Sequence, residues 1–276
     1  MSSTKPAEYV LGTGDDELAR LALQHRLWGD AAHGLWRRAG IAPGMRVLDV
    51  GCGPGHAAFD LSQWVTPSGK VLGVDESASF IEHLNAQARS RGLPQLSGTV
   101  GDVQQLGRCI DASEHYDLAY ARWVLCFVKD PEAVVAGVSQ ALKPGGRFCV
   151  HDYFNYRSMS MAPRRASHDK VVAATVKSWE ARGGDTDIMG RLPRLLARHG
   201  LEVTHLDVHQ RVARGSDAMF TWINVWWRIY APKLAEMGLI TSDDVRALLH
   251  DLDEIRQSAT DFVSCPPVYE IISVKK

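Results

Sequence analysis

Residues 46–55, Arg46-Val47-Leu48-Asp49-Val50-Gly51-Cys52-Gly53-Pro54-Gly55, constrain the fold of this chain more than any other stretch. A short apolar strand runs without a spacer into three glycines at alternate positions. Such a run lets the backbone turn sharply and lets a ligand approach the main chain closely. The next strand, Val71-Leu72-Gly73-Val74, ends on Asp75, where a Rossmann-like fold places a carboxylate for two ribose hydroxyls. The spacing is G-x-G-x-G, not the G-x-G-x-x-G that cradles a dinucleotide pyrophosphate, and Asp49 stands two residues before the first glycine. A ligand without phosphates but with an amino-acid moiety suits such a loop and such an acid. A tight strand-to-helix turn with no ligand would use the same glycines.

The rest of the chain reads as strands alternating with helices. A helix is expected from Asp15 to Ala39, with a break near Gly29-Asp30 and a turn at Ala42-Pro43-Gly44. Further strands are expected at Thr99-Val100, at 117–121 and at 147–150. Asp130-Pro131-Glu132 predicts a helix start, with Asp130 as N-cap and Pro131 at the first helical position. This rhythm implies βαβ crossovers and a parallel sheet. Beyond residue 152 it changes: helices over 163–182 and 187–198, an alternating strand at 201–208, two or three helices in 216–260, and a last strand at 268–274.

The division expected is an N-terminal helical lid (1–43), a ligand-binding core (44–152), and the remainder of the sheet (153–276) with helical cap insertions at about 153–182 and 213–262. Lys+Arg 31 against Asp+Glu 32 leaves a net charge of −1, so no global field recruits nucleic acid or anionic lipid. No apolar run approaches the ~18–20 residues a membrane span needs. The N-terminal residues lack an apolar leader, and a cytoplasmic protein is expected. Cys52, Cys109, Cys126, Cys149 and Cys265 contain no C-x-x-C pair, so neither a metal site nor a disulfide framework is indicated. Eight tryptophans are unusual, and Trp222, Trp226 and Trp227 fall within six residues.

On five motifs in order the chain resembles the class I S-adenosylmethionine-dependent methyltransferases. These are Val47 to Gly55; Gly73-Val74-Asp75; Gly101-Asp102-Val103; Tyr116 to Tyr120 with Leu125 and Asp130-Pro131; and Leu142-Lys143-Pro144-Gly145-Gly146. The resemblance covers roughly residues 44–152 and the last strand. It implies an α/β fold with a Rossmann-like, seven-stranded, mostly parallel sheet of order 3-2-1-4-5-7-6, its last strand antiparallel. The implied cofactor is S-adenosylmethionine, with Gly51, Gly53 and Gly55 along its methionine portion and Asp49 beneath its amino group. Asp75 would hold the ribose, Gly101, Asp102 and Val103 the adenine side, and Ala121 and Arg122 the methionine end. Tyr9 is expected as a lid residue over the sulfonium. Glu76 stands where the family has an apolar residue, which leaves its contact open.

Methyl transfer from a sulfonium needs alignment and exclusion of water, and needs a base only where the acceptor must lose a proton. His151, Asp152 and Tyr153, at the carboxyl end of strand five, are the candidate catalytic cluster; a solvated strand-to-loop turn is the plainer alternative. Alternation predicts His151 and Tyr153 on one side and Asp152 on the other. The chain also resembles ubiquinone/menaquinone-type methyltransferases, but Phe127 replaces the histidine those enzymes often carry after strand four. Trp28, His168, Trp222, Trp226 and Tyr230 are candidate acceptor-binding residues, with core packing (and for His168 the surface) as the alternative. Burial of the 219–230 segment on more than one side is expected, one side being the sheet edge.

The expected function is methyl transfer to a small apolar acceptor, aromatic or heteroaromatic, in secondary metabolism, without nucleic-acid or membrane partners. A homo-oligomer is left open. The competing readings are an RNA or protein methyltransferase and a non-catalytic cofactor-binding regulatory subunit. Against the first stand the dispersed cations and Ala121-Arg122-Trp123-Val124 in place of Asn-Pro-Pro-Tyr. Against the second stand the intact glycines and acids. A short-chain dehydrogenase is excluded because none of the seven tyrosines has a lysine four residues later.

Overall fold

The computed structural model describes residues 14–276. The glycine-loop strand β1 (Arg46–Val50) lies at the centre of a seven-stranded sheet. It pairs in parallel with β2 (Lys70–Asp75) and with β4 (Tyr116–Arg122). β3 (Leu96–Val100) extends the sheet beyond β2, and β5 (Leu142–Tyr153) lies beyond β4. On the far side β10 (Val268–Lys275) runs antiparallel between β5 and the edge strand β7 (Leu201–His209), which follows the short helix α6 (Leu192–Arg198). The order is therefore β3-β2-β1-β4-β5-β10-β7, the order and the antiparallel last strand implied by the family resemblance. Sequence expectation and structure differ mainly at strand ends: β5 begins at Leu142, inside the glycine turn expected to precede it.

The sheet is buried on both faces, as a parallel sheet must be, and alternate residues divide between two cores. Leu48, Val50, Ala119, Ala121, Phe148, Val150 and Ile271 join one. Val47, Leu118, Tyr120, Cys149 and Ile272 join the other. The second core is filled by α1 (Asp15–Arg38), α2 (His56–Val65) and α3 (Ala78–Ser90) through Leu35, Trp36, Leu61 and Leu84. Full burial of one such side chain contributes roughly 1.5–3 kcal/mol. α4 (Pro131–Ala141) starts as its sequence predicts: Asp130 accepts from Ala133 N–H at 3.0 Å, with Pro131 in the first turn.

Three departures from expectation have physical causes. First, α1 is unbroken through Gly29-Asp30. A helical glycine costs about 1 kcal/mol, which the buried Trp28, Ala31, Ala32 and Leu35 around it offset. Second, a three-stranded antiparallel sheet joins the insertions: β9 (Phe262–Ser264) lies between β6 (Ser160–Ala162) and β8 (Val212–Arg214). Three-residue strands are too short for alternation to show. Third, the tryptophan-rich helix α7 (Ala218–Glu236) is buried on several sides but not by the main sheet edge. It packs on α1, α5 (Ala166–Glu180), α8 (Ser242–Gln257) and β8, because the insertions are long enough to form their own core. Among the described residues no helix is long and apolar enough to cross a membrane.

Candidate active site

The sheet hands its central strand to the glycine loop with little slack. Gly51 and Cys52 both donate their N–H groups to Val74 O, at 2.8 and 3.1 Å. Gly53 N–H donates to Asp75 Oδ2 at 2.8 Å, and Ser77 N–H donates to Oδ1 at 2.9 Å. Burial raises the Asp75 carboxyl above its usual range, and these two amides oppose it. Gly51, Gly53 and Gly55 all have positive φ, at 68°, 54° and 92°. A Cβ at Gly51 would meet Val124 at 2.5 Å and one at Gly55 would meet Leu84 at 2.7 Å, while Gly53 has nothing within 4 Å. The outer glycines thus allow the protein to pack on itself, and the middle one presents bare backbone to open space.

On the adenine side of the motif order, Gly101 N–H donates to Asp75 O at 2.9 Å. Asp102 caps the short turn that follows, accepting from Gln104 N–H at 2.9 Å, and Val103 is buried. Glu76 is exposed.

Asp49 is buried and its Oδ2 lacks a protein partner. Burial pushes its carboxyl up to about 7, against the pull of the Arg122 guanidinium. Arg122 ends β4, beyond the buried Ala121, and bonds His25 Nδ1 at 2.9 Å; its Nη1 is buried without a partner. His25 in turn reaches Asp60 at 3.0 Å and stacks on His56 with centroids 5.8 Å apart. Burial lowers the His56 imidazole to about 4, and its Nε2 too has no partner. A carboxylate, a guanidinium and an imidazole thus converge beside the loop with valences unspent. Sequence reasoning named Asp49 and Arg122 but missed His25 and His56. His56 was findable, since it immediately follows the third glycine.

Next to Arg122, Trp123 has a left-handed backbone (φ 55°) and starts an aromatic group. Trp28 meets Trp123 edge-on at 5.6 Å and Trp222 at 5.8 Å. Trp123 stacks with Trp222 at 6.2 Å and with Tyr153 at 6.1 Å. Trp222 Nε1 donates to Gln24 Oε1 at 3.0 Å, so Gln24 and Trp28 both meet Trp222 from α1. The indole N–H groups of Trp28 and Trp123 are buried without protein partners. Trp123 was not singled out from sequence, although its place after strand four was the available signal.

The other acceptor candidates lie elsewhere in the cap. Tyr230 stacks on Trp226 at 4.6 Å, and its hydroxyl is met by Ser178, Trp179 and Arg182 of the α5 region. His168 is fully buried against Trp227, not on the surface, because α7 and α8 enclose α5. Tyr9 lies outside the described residues.

At the end of β5 the candidate cluster divides. Asp152 is buried and accepts from Cys126 N–H at 3.1 Å and Tyr153 N–H at 2.9 Å; burial raises its carboxyl to about 6. It therefore holds the segment after β4. His151 faces the opposite side, with Tyr120 Oη 3.3 Å from Nδ1 and Glu270 Oε2 3.1 Å from Nε2. Tyr153, expected beside His151, packs instead with Trp123, Tyr156 and Trp179. It is the last residue of β5, where strand alternation no longer dictates direction.

This arrangement, a G-x-G-x-G loop hydrogen-bonded to a strand-end acid within a 3-2-1-4-5-7-6 sheet, defines the class of S-adenosylmethionine-dependent methyltransferases. Residues 41–200 match the family described as "Methyltransferase domain", and the chain belongs to that family. Two curated relatives are a ubiquinone/menaquinone biosynthesis C-methyltransferase from Shewanella halifaxensis and a 2-phytyl-1,4-naphtoquinone methyltransferase from Synechococcus elongatus. The first is 26% identical over 55% of this chain and 62% of its own. The second is 33% identical over 44% of this chain and 53% of its own, so the match spans little more than half of these relatives. The YcgJ protein from Bacillus subtilis shares the fold, with a TM-score of 0.61 at 18% identity over 89% of this chain and 99% of its own.

Proposed function

We propose that the protein transfers the methyl group of S-adenosylmethionine to a small apolar acceptor carrying an aromatic or heteroaromatic ring. One observation carries this reading: consecutive residues serve both halves of the site. Val124 closes on Gly51, while Trp123 packs with Trp28, Trp222 and Tyr153. An acceptor held by that aromatic group lies next to the loop, and flat rings stack well on flat ligands.

The residues fit the cofactor. The buried Asp49 Oδ2, which has no protein partner, suits a cationic amino group, and the spare Arg122 nitrogen suits a carboxylate. Gly53 offers open main chain, and Gly51 and Gly55 set its approach. Asp75 takes the ribose hydroxyls, and Gly101, Asp102 and Val103 the adenine side. When bound, the cofactor supplies an electrophilic methyl group on a sulfonium. Trp28, Trp123 and Trp222 then orient the acceptor and exclude water, and proximity of this kind lowers barriers by ~7–11 kcal/mol. Asp152 positions the Trp123 segment, and the Tyr153 phenol, kept protonated by burial, orients the acceptor. Neither His151 nor Asp152 has the freedom of a dedicated base. Phe127, half exposed against Trp179, separates this acceptor site from that of the quinone-type relatives.

The test is S-adenosylhomocysteine release over a panel of phenols, aromatic amines and indoles. Trp123→Ala and Trp222→Ala should lower acceptor kcat/KM at least tenfold while cofactor Kd stays within twofold. Equal losses in Trp226→Ala and Tyr230→Ala, or no product from any panel member, would sink the acceptor assignment.

A further inference from the structure

On the sheet face that carries Tyr120 and Cys149, three histidines converge on one carboxylate. Glu270, in the middle of β10, is buried, 2% exposed. Its Oε2 lies 3.1 Å from His151 Nε2 on β5 and 2.8 Å from His209 Nε2 on β7; its Oε1 lies 2.7 Å from His205 Nε2. The register explains the convergence. Glu270 sits directly opposite His151 on one side and Asp207 on the other, and His205 and His209 flank Asp207 at two residues each way. All five belong to one face of the sheet. Asp207 is exposed at the rim, within ligand reach of His205 and Glu270.

We propose that His151, His209 and Glu270 form a binding site for a divalent first-row transition metal ion, with His205 holding the second Glu270 oxygen. Two imidazoles and one carboxylate, leaving a fourth position open, are a donor set for zinc, iron, nickel or copper, not for magnesium or calcium. The present N···O separations are hydrogen-bond distances. A tetrahedral ion with bonds of ~2.0–2.1 Å needs donor atoms roughly 3.3 Å apart, and the ligand atoms of His151, His209 and Glu270 lie within 4.8 Å of one another, so side-chain rotation brings the three onto one ion. His205 and His209 remain partly exposed, with side chains at 17% and 30%, which provides the entry path. Tyr120 completes the outer shell: a His151 Nδ1–H donated to its oxygen turns the Nε2 lone pair toward the ion. The site would tie the edge strand β7 through β10 to β5. It stands independently of the methyl-transfer reading.

The experiment is titration of chelator-treated full-length chain with Co2+ and then Zn2+. One equivalent of Co2+ should bind with visible ligand-field absorption and be displaced by Zn2+, and one equivalent of Zn2+ should raise Tm. His209→Ala and His205→Ala, at partly exposed positions that tolerate truncation, should each weaken Zn2+ binding at least tenfold. Glu270→Gln, if it folds, should abolish it. Wild type and both histidine variants binding Zn2+ equally would mean surface histidines only, and would overturn the site, as would the absence of any stoichiometric binding.

Discussion

Gly53 donates its backbone N–H to Asp75 Oδ2 across 2.8 Å, so the middle of the glycine loop and the acid of the neighbouring strand form one unit. With Ser77 N–H on the other oxygen, the Asp75 carboxylate is held in place before a ligand arrives. Such preorganisation removes part of the ordering cost of binding.

Two glycine substitutions should separate packing from binding. Gly51→Ala adds a Cβ 2.5 Å from Val124 at positive φ, and should cost about 1–3 kcal/mol of stability. Gly53→Ala meets no protein atom within 4 Å, so only the backbone strain opposes it, on the order of 1 kcal/mol. Cofactor affinity should nevertheless fall more for Gly53→Ala than its stability loss accounts for. Urea unfolding and calorimetric titration of both variants check this.

Asp49 should make ligand-free stability fall with rising pH. Its folded carboxyl is raised from 3.8 to about 7, so the folded state holds the proton longer than the unfolded chain. Its contribution is complete below pH ~4 and is lost as pH rises through 7, an effect on the order of 4 kcal/mol at most. Asp49→Asn should flatten that part of the stability profile. The same variant should weaken cofactor binding roughly 10–100-fold, the size of one charge-assisted hydrogen bond. A profile unchanged by the substitution would refute the burial argument.

Asp152 should behave as a positioning residue. Asp152→Ala leaves the buried Cys126 N–H without its acceptor, costing about 1–3 kcal/mol. Acceptor KM should rise more than cofactor Kd, because Trp123 lies in the released segment. Asp152→Asn keeps an acceptor oxygen and should recover most of both. A loss of kcat alone, not recovered by Asn, would instead point to proton transfer.

His168 should act in acid stability, not turnover. Burial lowers its pKa from 6.5 to about 4, so the unfolded chain takes up the proton first. Its contribution is present above pH 6.5 and is lost as pH falls toward 4, by up to about 3 kcal/mol. His168→Leu should be more stable than wild type at pH 5 relative to pH 7, with methyl transfer unchanged. Chemical denaturation at the two pH values measures the difference.

Much of the core was legible because its signals are local. Strand, glycines and acid follow one another within 30 residues, and Asp130-Pro131 announces its helix. What was not legible depends on distant partners. His25 and Arg122 meet only after α1 crosses the sheet. The direction of Tyr153 depends on where β5 stops. The helix through Gly29 survives because of contacts made elsewhere. The convergence of His151, His205, His209 and Glu270 needs the pairing of three strands, so no spacing rule could announce it. The tryptophan excess proved divisible: Trp28, Trp123 and Trp222 gather beside the loop, while Trp226 and Trp227 knit the cap.

The small sheet β6-β9-β8 has a mechanical consequence. Its strands come from two separate excursions of the chain, β6 between β5 and β7, and β8 with β9 between β7 and β10, and β9 holds the outer two in register. Hinged motion of either excursion must break that ladder or carry the other with it, so the two insertions move as a single plate. Sequence drift inside the plate therefore leaves the glycine loop and Asp75, which lie outside it, untouched.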